Sequence, residues 1–280
     1  MVEPDPEEAA RLRAKGCNVL EVALLDKQGP VTLNVTRSPG ASSVFQPYRA
    51  FLEQFPEVER FHVSRSISVN AVSLDALPPR EIDFLKIDTQ GAELAIMEGG
   101  VNRLQRLVGL EVEVEFGQMY EGQPLFADVD RFVRERLGLE LWDIRRTHWK
   151  YKDGLDSNTS KGRLIFGDAL YLRPMTSLDT WLPTMGDEAS NKLAMLAVSA
   201  IAYGFLDYAQ ALSRTRSLAP GVMQLISHSI ARGAFRPLRN GSWPLFILFD
   251  AIAKAFRPTH GGWATGGEVL GSRRRGAFWC

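Results

Sequence analysis

Residues 82–93 read Ile82-Asp83-Phe84-Leu85-Lys86-Ile87-Asp88-Thr89-Gln90-Gly91-Ala92-Glu93. The first seven have the apolar content of a strand that ends on an aspartate. Gly91 then allows a tight turn, and Glu93 falls in the first turn of a following helix, where a carboxylate suits the helix dipole. Strand, glycine turn and helix form the repeating unit of an α/β sheet, which holds ligands outside the carboxyl ends of its strands. Asp88 and Glu93 therefore stand close together at a ligand-holding edge. A carboxylate pair there can act as general base on a hydroxyl, bind a divalent metal or hydrogen-bond a sugar. The competing reading is structural: an aspartate capping the helix and a glutamate placed by the dipole.

The next strand, residues 108–116, sharpens this picture. Glu111, Glu113 and Glu115 alternate with Val112, Val114 and Phe116, so the three acids share one face. Lys86 sits mid-strand and needs a partner or a solvated exit for its ammonium. If the two strands are neighbours, Lys86 pairs with Glu113 or Glu115; otherwise the acid face is solvated near a sheet end. A loop follows with Tyr120 and Gln123, which either contact substrate or pack. His148, beside Trp149 after a later strand, either borders the pocket or is an ordinary loop histidine. The other histidines (His62, His228, His260) and the two cysteines lack ligand spacing, which excludes a histidine- or cysteine-built metal site.

Around this centre the pattern is alternating. Residues 6–14 start like a helix, 18–24 read as a strand, and Gly29-Pro30 marks a turn. Val31, Leu33 and Val35 alternate with Thr32, Asn34 and Thr36 as in a half-buried strand. Residues 61–75 carry a further strand, 91–107 and 126–137 are helical, and Gly138 stands where a helix stops. Late strands at 139–146 and 169–173 complete a mostly parallel sheet covered on both faces, with the last two strands as an antiparallel edge. After Pro174 only helical spacing remains, at 187–213, 220–233 and 242–256. Residues 258–280 read as a disordered tail. The expected organisation is a domain over 1–175, a helical extension over 176–257 and that tail.

Composition limits the function classes. With 280 residues, 33 basic and 33 acidic side chains, no net field attracts nucleic acid or an anionic membrane. Two cysteines point to the reducing cytoplasm. The longest apolar stretch, from Leu193 toward Leu212, is interrupted by Asp207 and reads as a buried helix, since a span needs about 20 apolar residues.

Several blocks resemble the FkbM-type family of S-adenosylmethionine-dependent methyltransferases. They are Glu3-Pro4-Asp5-Pro6, Ala23-Leu24-Leu25-Asp26, Ser42-Ser43, Ser73-Leu74-Asp75, Asp83-Phe84-Leu85-Lys86-Ile87-Asp88 running into Gln90-Gly91-Ala92-Glu93, Glu113-Val114-Glu115-Phe116, Tyr120-Glu121-Gly122-Gln123 and Gly167-Asp168-Ala169-Leu170. The resemblance covers about three-fifths of the chain. It implies a Rossmann-like methyltransferase sheet and O-methylation of a hydroxyl on a sugar, polyketide or related small molecule. It implies Glu3 as the ribose-binding acid, Asp88 at the cofactor and, with Glu93 and Lys86, in the catalytic group. Glu113, Glu115, Tyr120 and His148 fall on the acceptor side, and a divalent metal is compatible with the acids. No glycine-rich turn precedes Glu3, where the dinucleotide fingerprint expects one about 20 residues upstream. The expectation is thus a sheet missing its first strand, N-terminally truncated, with a helical extension. The rival expectation is a catalytically inactive homologue acting as an interaction protein.

Overall fold

Alternation of valines and glutamates gives the strand at the centre of the molecule two contrasting faces, and both are covered. The computed structural model describes residues 1–154, 160–216, 218–233 and 263–266. In chain order the strands are β1 (Ala23–Leu24), β2 (Gly29–Thr36), β3 (Val63–Val72), β4 (Phe84–Ile87), β5 (Gly109–Glu115), β6 (Glu140–Trp149), β7 (Arg163–Leu172) and β8 (Ala264–Gly266). The helices are α1 (Pro6–Ala14), α2 (Arg49–Leu52), α3 (Glu93–Glu98), α4 (Val101–Leu104), α5 (Phe126–Phe132), α6 (Leu178–Trp181), α7 (Ala189–Ala202), α8 (Leu206–Thr215) and α9 (Pro220–Gly233). The molecule is mixed α/β.

The main sheet has the order β4-β5-β7-β6-β8. Among the described strands its one parallel pair is β4 with β5; β7 runs antiparallel to both β5 and β6, and β8 antiparallel to β6. Strands β4, β5 and β6 therefore run in one direction. The last two expected strands, β6 and β7, do pair antiparallel, but the expected mostly parallel sheet is corrected: three of the main sheet's four pairings among the described strands are antiparallel, because β7 is inserted between β5 and β6, which share a direction. Ala264–Gly266 lies within the expected tail, yet it pairs with Thr147 to Trp149 as an edge strand. The helix expected at 242–256 and the rest of that tail lie outside the described residues. A second sheet, β1-β3-β2, adjoins, with Val2 bridging Leu20 in parallel beside it.

Local chemistry explains most element ends. Asp5 caps α1 by accepting from Glu7 N at 2.9 Å, Pro6 occupies the first turn, and Arg11 and Arg13 sit in the last. The helix expected over 91–107 is split into α3 and α4 at Gly99-Gly100. A side chain at Gly99 would strike the Leu25 carbonyl, and one at Gly100 the Leu74 side chain, so the break lets the preceding segments pass close by. Gly138, at φ 67°, ends the turn that follows α5. Gly204, at φ 85°, divides the apolar stretch after Leu193 into α7 and α8. Among the described residues no helix is long and apolar enough to cross a membrane.

Each face of the main sheet carries its own core. Leu110, Val112 and Val114 pack with Ile96, Met97, Val129 and Tyr171 on one face, joined there by Ala23, Leu25 and Ala71 from the small sheet. On the other face Leu170 and Leu172 pack with Leu193, Leu196, Ala197 and Leu212, so α7 and α8 share a core with the strands. A third, aromatic cluster joins Phe51, Phe55, Phe61, Tyr120 and Trp149.

Candidate functional site

The acid face of β5 is not solvated. Glu111, Glu113 and Glu115 are all buried, at 5%, 6% and 1% exposure, and each has a different answer to the cost of burying charge. Parallel pairing sets Lys86 opposite Glu111. The lysine accordingly bonds Glu111 at 2.7 Å and lies 3.5 Å from Asp168, rather than pairing with Glu113 or Glu115 as expected. The reason is register: β4 ends at Ile87, so those two acids project beyond the lysine's row. Arg145 pairs with the same Asp168, and Tyr203 donates to Glu111 Oε2 from the end of α7. Burial opposes the Lys86 charge, but the hydrogen bond to Glu111 and the charges of Glu111, Asp168 and Asp88 outweigh it and hold the ammonium above its ordinary value. Burial, then Glu111, keeps the Tyr203 phenol protonated.

One row further along, where β4 has ended, the acids meet with no basic partner among the described residues. One carboxylate oxygen from each of Glu93, Glu113 and Glu115 lies within 4.8 Å of the others. Burial first, then Asp88, Glu115, Glu93 and Asp168, pushes Glu113 well above the usual carboxylate range. Burial, then Glu93, does the same to Glu115, and burial also raises Glu93 against the hydrogen bonds it accepts.

The turn after β4 holds this group in place. Glu93 accepts from Thr89 N at 2.7 Å, Thr89 Oγ1 at 2.9 Å and Gly91 N at 2.9 Å. Gln90 adopts a left-handed backbone at φ 59°, a conformation uncommon for a residue with a side chain, and Gly91 follows at φ 105°. That backbone directs the Gln90 amide inward, where Nε2 donates to Glu113 Oε2 at 2.5 Å and to Asp88 Oδ1 at 3.2 Å. The Tyr120 hydroxyl lies 3.2 Å from Gln90 Oε1 and 2.8 Å from the Ala41 carbonyl. Burial, then Glu113, Glu115 and Glu93, keeps that phenol protonated. Ser43 Oγ donates to the Gln90 carbonyl at 2.7 Å, and Asn34 anchors the Ser43 loop through the Phe45 carbonyl at 3.1 Å. Asn34, expected on the polar side of its strand, is buried for this purpose. Asp88 is the exposed carboxylate of the group.

The structure thus brings together Asp88, Glu93, Glu113, Glu115 and Tyr120, with Lys86 one row below. The capping alternative does not form for Asp88, since α3 has no side-chain cap. Glu93, in contrast, does serve the backbone of its own turn. Glu3 has contacts of its own: it accepts from Asp5 N at 2.9 Å, and burial, against that bond and with Glu8 and Asp5 nearby, raises its carboxyl. His148 pairs with Leu164 and Thr265, two strands away from β5. Gln90, Asp168, Arg145 and Tyr203 escaped the sequence reading as site residues. Asp168 offered a signal, a single charge inside the apolar run of β7, which demands a buried partner; Tyr203 offered none.

The acid cluster lies in a segment with known relatives. Residues 1–138 match the methyltransferase FkbM domain family. That segment is similar to FkbM methyltransferase domains. The 2-O-methyltransferase NoeI of Sinorhizobium fredii (strain NBRC 101917 / NGR234) is 29% identical over 145 residues, covering 46% of this chain and 58% of the relative. The chain thus spans somewhat more than half the length of that relative. No solved structure matches the chain. Asp88, Gln90, Glu93, Glu113, Glu115 and Tyr120 fall within the FkbM domain, whereas Asp168, Arg145 and Tyr203, which support Lys86, come from beyond it.

Proposed function

We propose that this chain is an S-adenosylmethionine-dependent methyltransferase that methylates a hydroxyl oxygen on a sugar, polyketide or related small molecule, on a Rossmann-like sheet. The observation that carries the reading is the carboxylate group at the carboxyl ends of β4 and β5, inside the FkbM domain. The 2-O-methyltransferase NoeI, with its name, favours a hydroxyl acceptor.

The donor set fits the cofactor in charge: an acidic site complements a ligand bearing a sulfonium and an ammonium. S-adenosylmethionine supplies an electrophilic methyl group when bound. Glu3 is the acid for the ribose hydroxyls. Asp88, exposed and hydrogen-bonded to Gln90, is the carboxylate an acceptor hydroxyl reaches, and it takes the hydroxyl proton as the oxygen attacks. Glu93, locked to Thr89 and Gly91, fixes the turn that carries Asp88. Lys86 holds the row below through Glu111 and Asp168. Tyr120, Glu113 and Glu115 shape the acceptor side, and His148 its rim. Holding acceptor and donor in line is the main catalytic contribution.

Isothermal titration of the purified chain with S-adenosylmethionine, followed by transfer of labelled methyl to monosaccharide acceptors, tests this. Donor binding with transfer lost in Asp88→Ala is the expected result. A chain that binds the donor no better than an unrelated protein would sink the enzymatic reading in favour of an interaction protein.

A further inference from the structure

Glu93, Glu113 and Glu115 come from two different elements, α3 and β5, and converge in the interior. Among the described residues no arginine or lysine pairs with any of them. Buried carboxylates are normally paired or hold a metal, because an isolated charge in a low-dielectric interior is costly. A second observation points the same way. Among the described residues, Glu115 Oε1 is fully buried and accepts no hydrogen bond of good geometry, and the nearby Gln123 Nε2, which favours the Glu115 charge, is likewise unsatisfied. A buried acceptor left open inside a cluster of acceptors calls for a positively charged ligand.

We propose that Glu93, Glu113 and Glu115 bind one divalent, oxygen-preferring cation. Spacing supports this: two oxygens that each sit about 2.4 Å from a shared ion are at most about 4.8 Å apart, and the three carboxylate oxygens lie within 4.8 Å of one another. The carboxylates are also held in place in advance. Glu93 is fixed by Thr89 and Gly91, and Glu113 by Gln90, yet each carboxylate oxygen keeps a further lone pair for a metal. With oxygen donors and no imidazole or thiolate, the set selects Mg²⁺, Mn²⁺ or Ca²⁺ over Zn²⁺. Asp88 and Gln90 form the approach, since Gln90 links the exposed carboxylate to buried Glu113.

The inference rests on the reading of this sheet end as the ligand site, but metal binding tests it without methyl transfer. The full chain is stripped with EDTA, then titrated with Mn²⁺ alone by electron paramagnetic resonance and by thermal melting. One Mn²⁺ per chain, displaced by Mg²⁺ or Ca²⁺, with a higher melting temperature, is expected. Glu113→Gln and Glu115→Gln should each weaken Mn²⁺ binding at least about tenfold, equivalent to about 1.4 kcal/mol. In EDTA both should melt no lower than the parent, because each replaces a buried carboxyl that must take up a proton on folding with an amide that need not. No Mn²⁺ bound at millimolar concentration, or equal binding by the Glu93→Gln/Glu113→Gln/Glu115→Gln triple variant, overturns the proposal. S-adenosylmethionine binding measured on the same samples separates the two readings: donor binding without metal removes this inference alone, and metal without donor removes the methyltransferase reading alone.

Discussion

Glu113 illustrates how one side chain can be legible in identity and opaque in state. Its alternation along β5 places it on the acid face, but only three-dimensional packing surrounds it with Asp88, Glu93, Glu115 and Asp168, beneath the Gln90 amide and near the Tyr120 hydroxyl. Burial is the largest cause of its raised pKa, and the neighbouring acids add to it. In the metal-free protein the sign follows from proton binding. Above the unfolded value of 4.5, the folded state still holds this proton while the unfolded chain has released it, so stability falls as pH rises toward the folded value. Melting temperature in EDTA should therefore decline from pH 5 to pH 8, and Glu113→Gln should flatten the decline and melt higher than the parent at pH 8. A parent curve that rises over that range would show the cluster to be charge-compensated in some other way. Gln90 makes the matching argument about the backbone. Gln90→Ala keeps the strained left-handed turn but loses the bonds to Glu113 and Asp88, and should reduce transfer activity at least tenfold with little change in donor affinity.

At the scale of elements, propensity and capping were readable and pairing was not. Asp5, Pro6 and the charge gradient delimit α1, and Pro220 to Gly233 delimits α9, because those signals act over one or two turns. The partner of Lys86 depended on the β4–β5 register, and the insertion of β7 beside β5 on partners more than 50 residues apart in sequence, such as Glu115 and Phe166; periodicity carries neither. The break between α3 and α4 shows why a good helical pattern failed. Gly99 is forced to be small by the Leu25 backbone, a neighbour from another element. Gly99→Ala should thus destabilise the protein although alanine is the better helix former. The expected loss is about 1–3 kcal/mol, seen as a lower urea midpoint with an unchanged m-value. Tyr203→Phe probes the other long-range tie. It retains the ring stacked on Phe84, centroids 5.5 Å apart, and removes the donor to Glu111. A cost of about 1–3 kcal/mol is expected for leaving that buried carboxylate one bond short.

For the whole molecule the question is whether the helices after Pro174 form a unit of their own. Their sequence separates cleanly from the alternating pattern before them, which is why a boundary at 175 is legible. Packing opposes that boundary. Val108, Leu170 and Leu172 of the sheet are completely buried, and what buries them includes Leu193, Leu196 and Ala197 of α7. Tyr208 donates to the Arg173 carbonyl at 2.7 Å, and Lys192, itself buried, bonds Asp83 at 3.0 Å just ahead of β4. The same helices deliver Tyr203 to Glu111 and so to Lys86. A core shared in this way unfolds as one cooperative body. Leu196→Ala should cost about 2–5 kcal/mol and should lower the melting of the sheet and of the helices together, with tryptophan fluorescence and far-ultraviolet circular dichroism giving coincident transitions. Two transitions, of which the variant moves only one, would instead establish an independent helical domain. The same packing predicts that a chain ending at residue 175 exposes Val108, Leu170 and Leu172 and loses cooperative melting, whereas a self-sufficient sheet domain would keep it. The clustered acids lie within the segment that matches the FkbM family, but their fixed geometry depends on helices that the match does not reach.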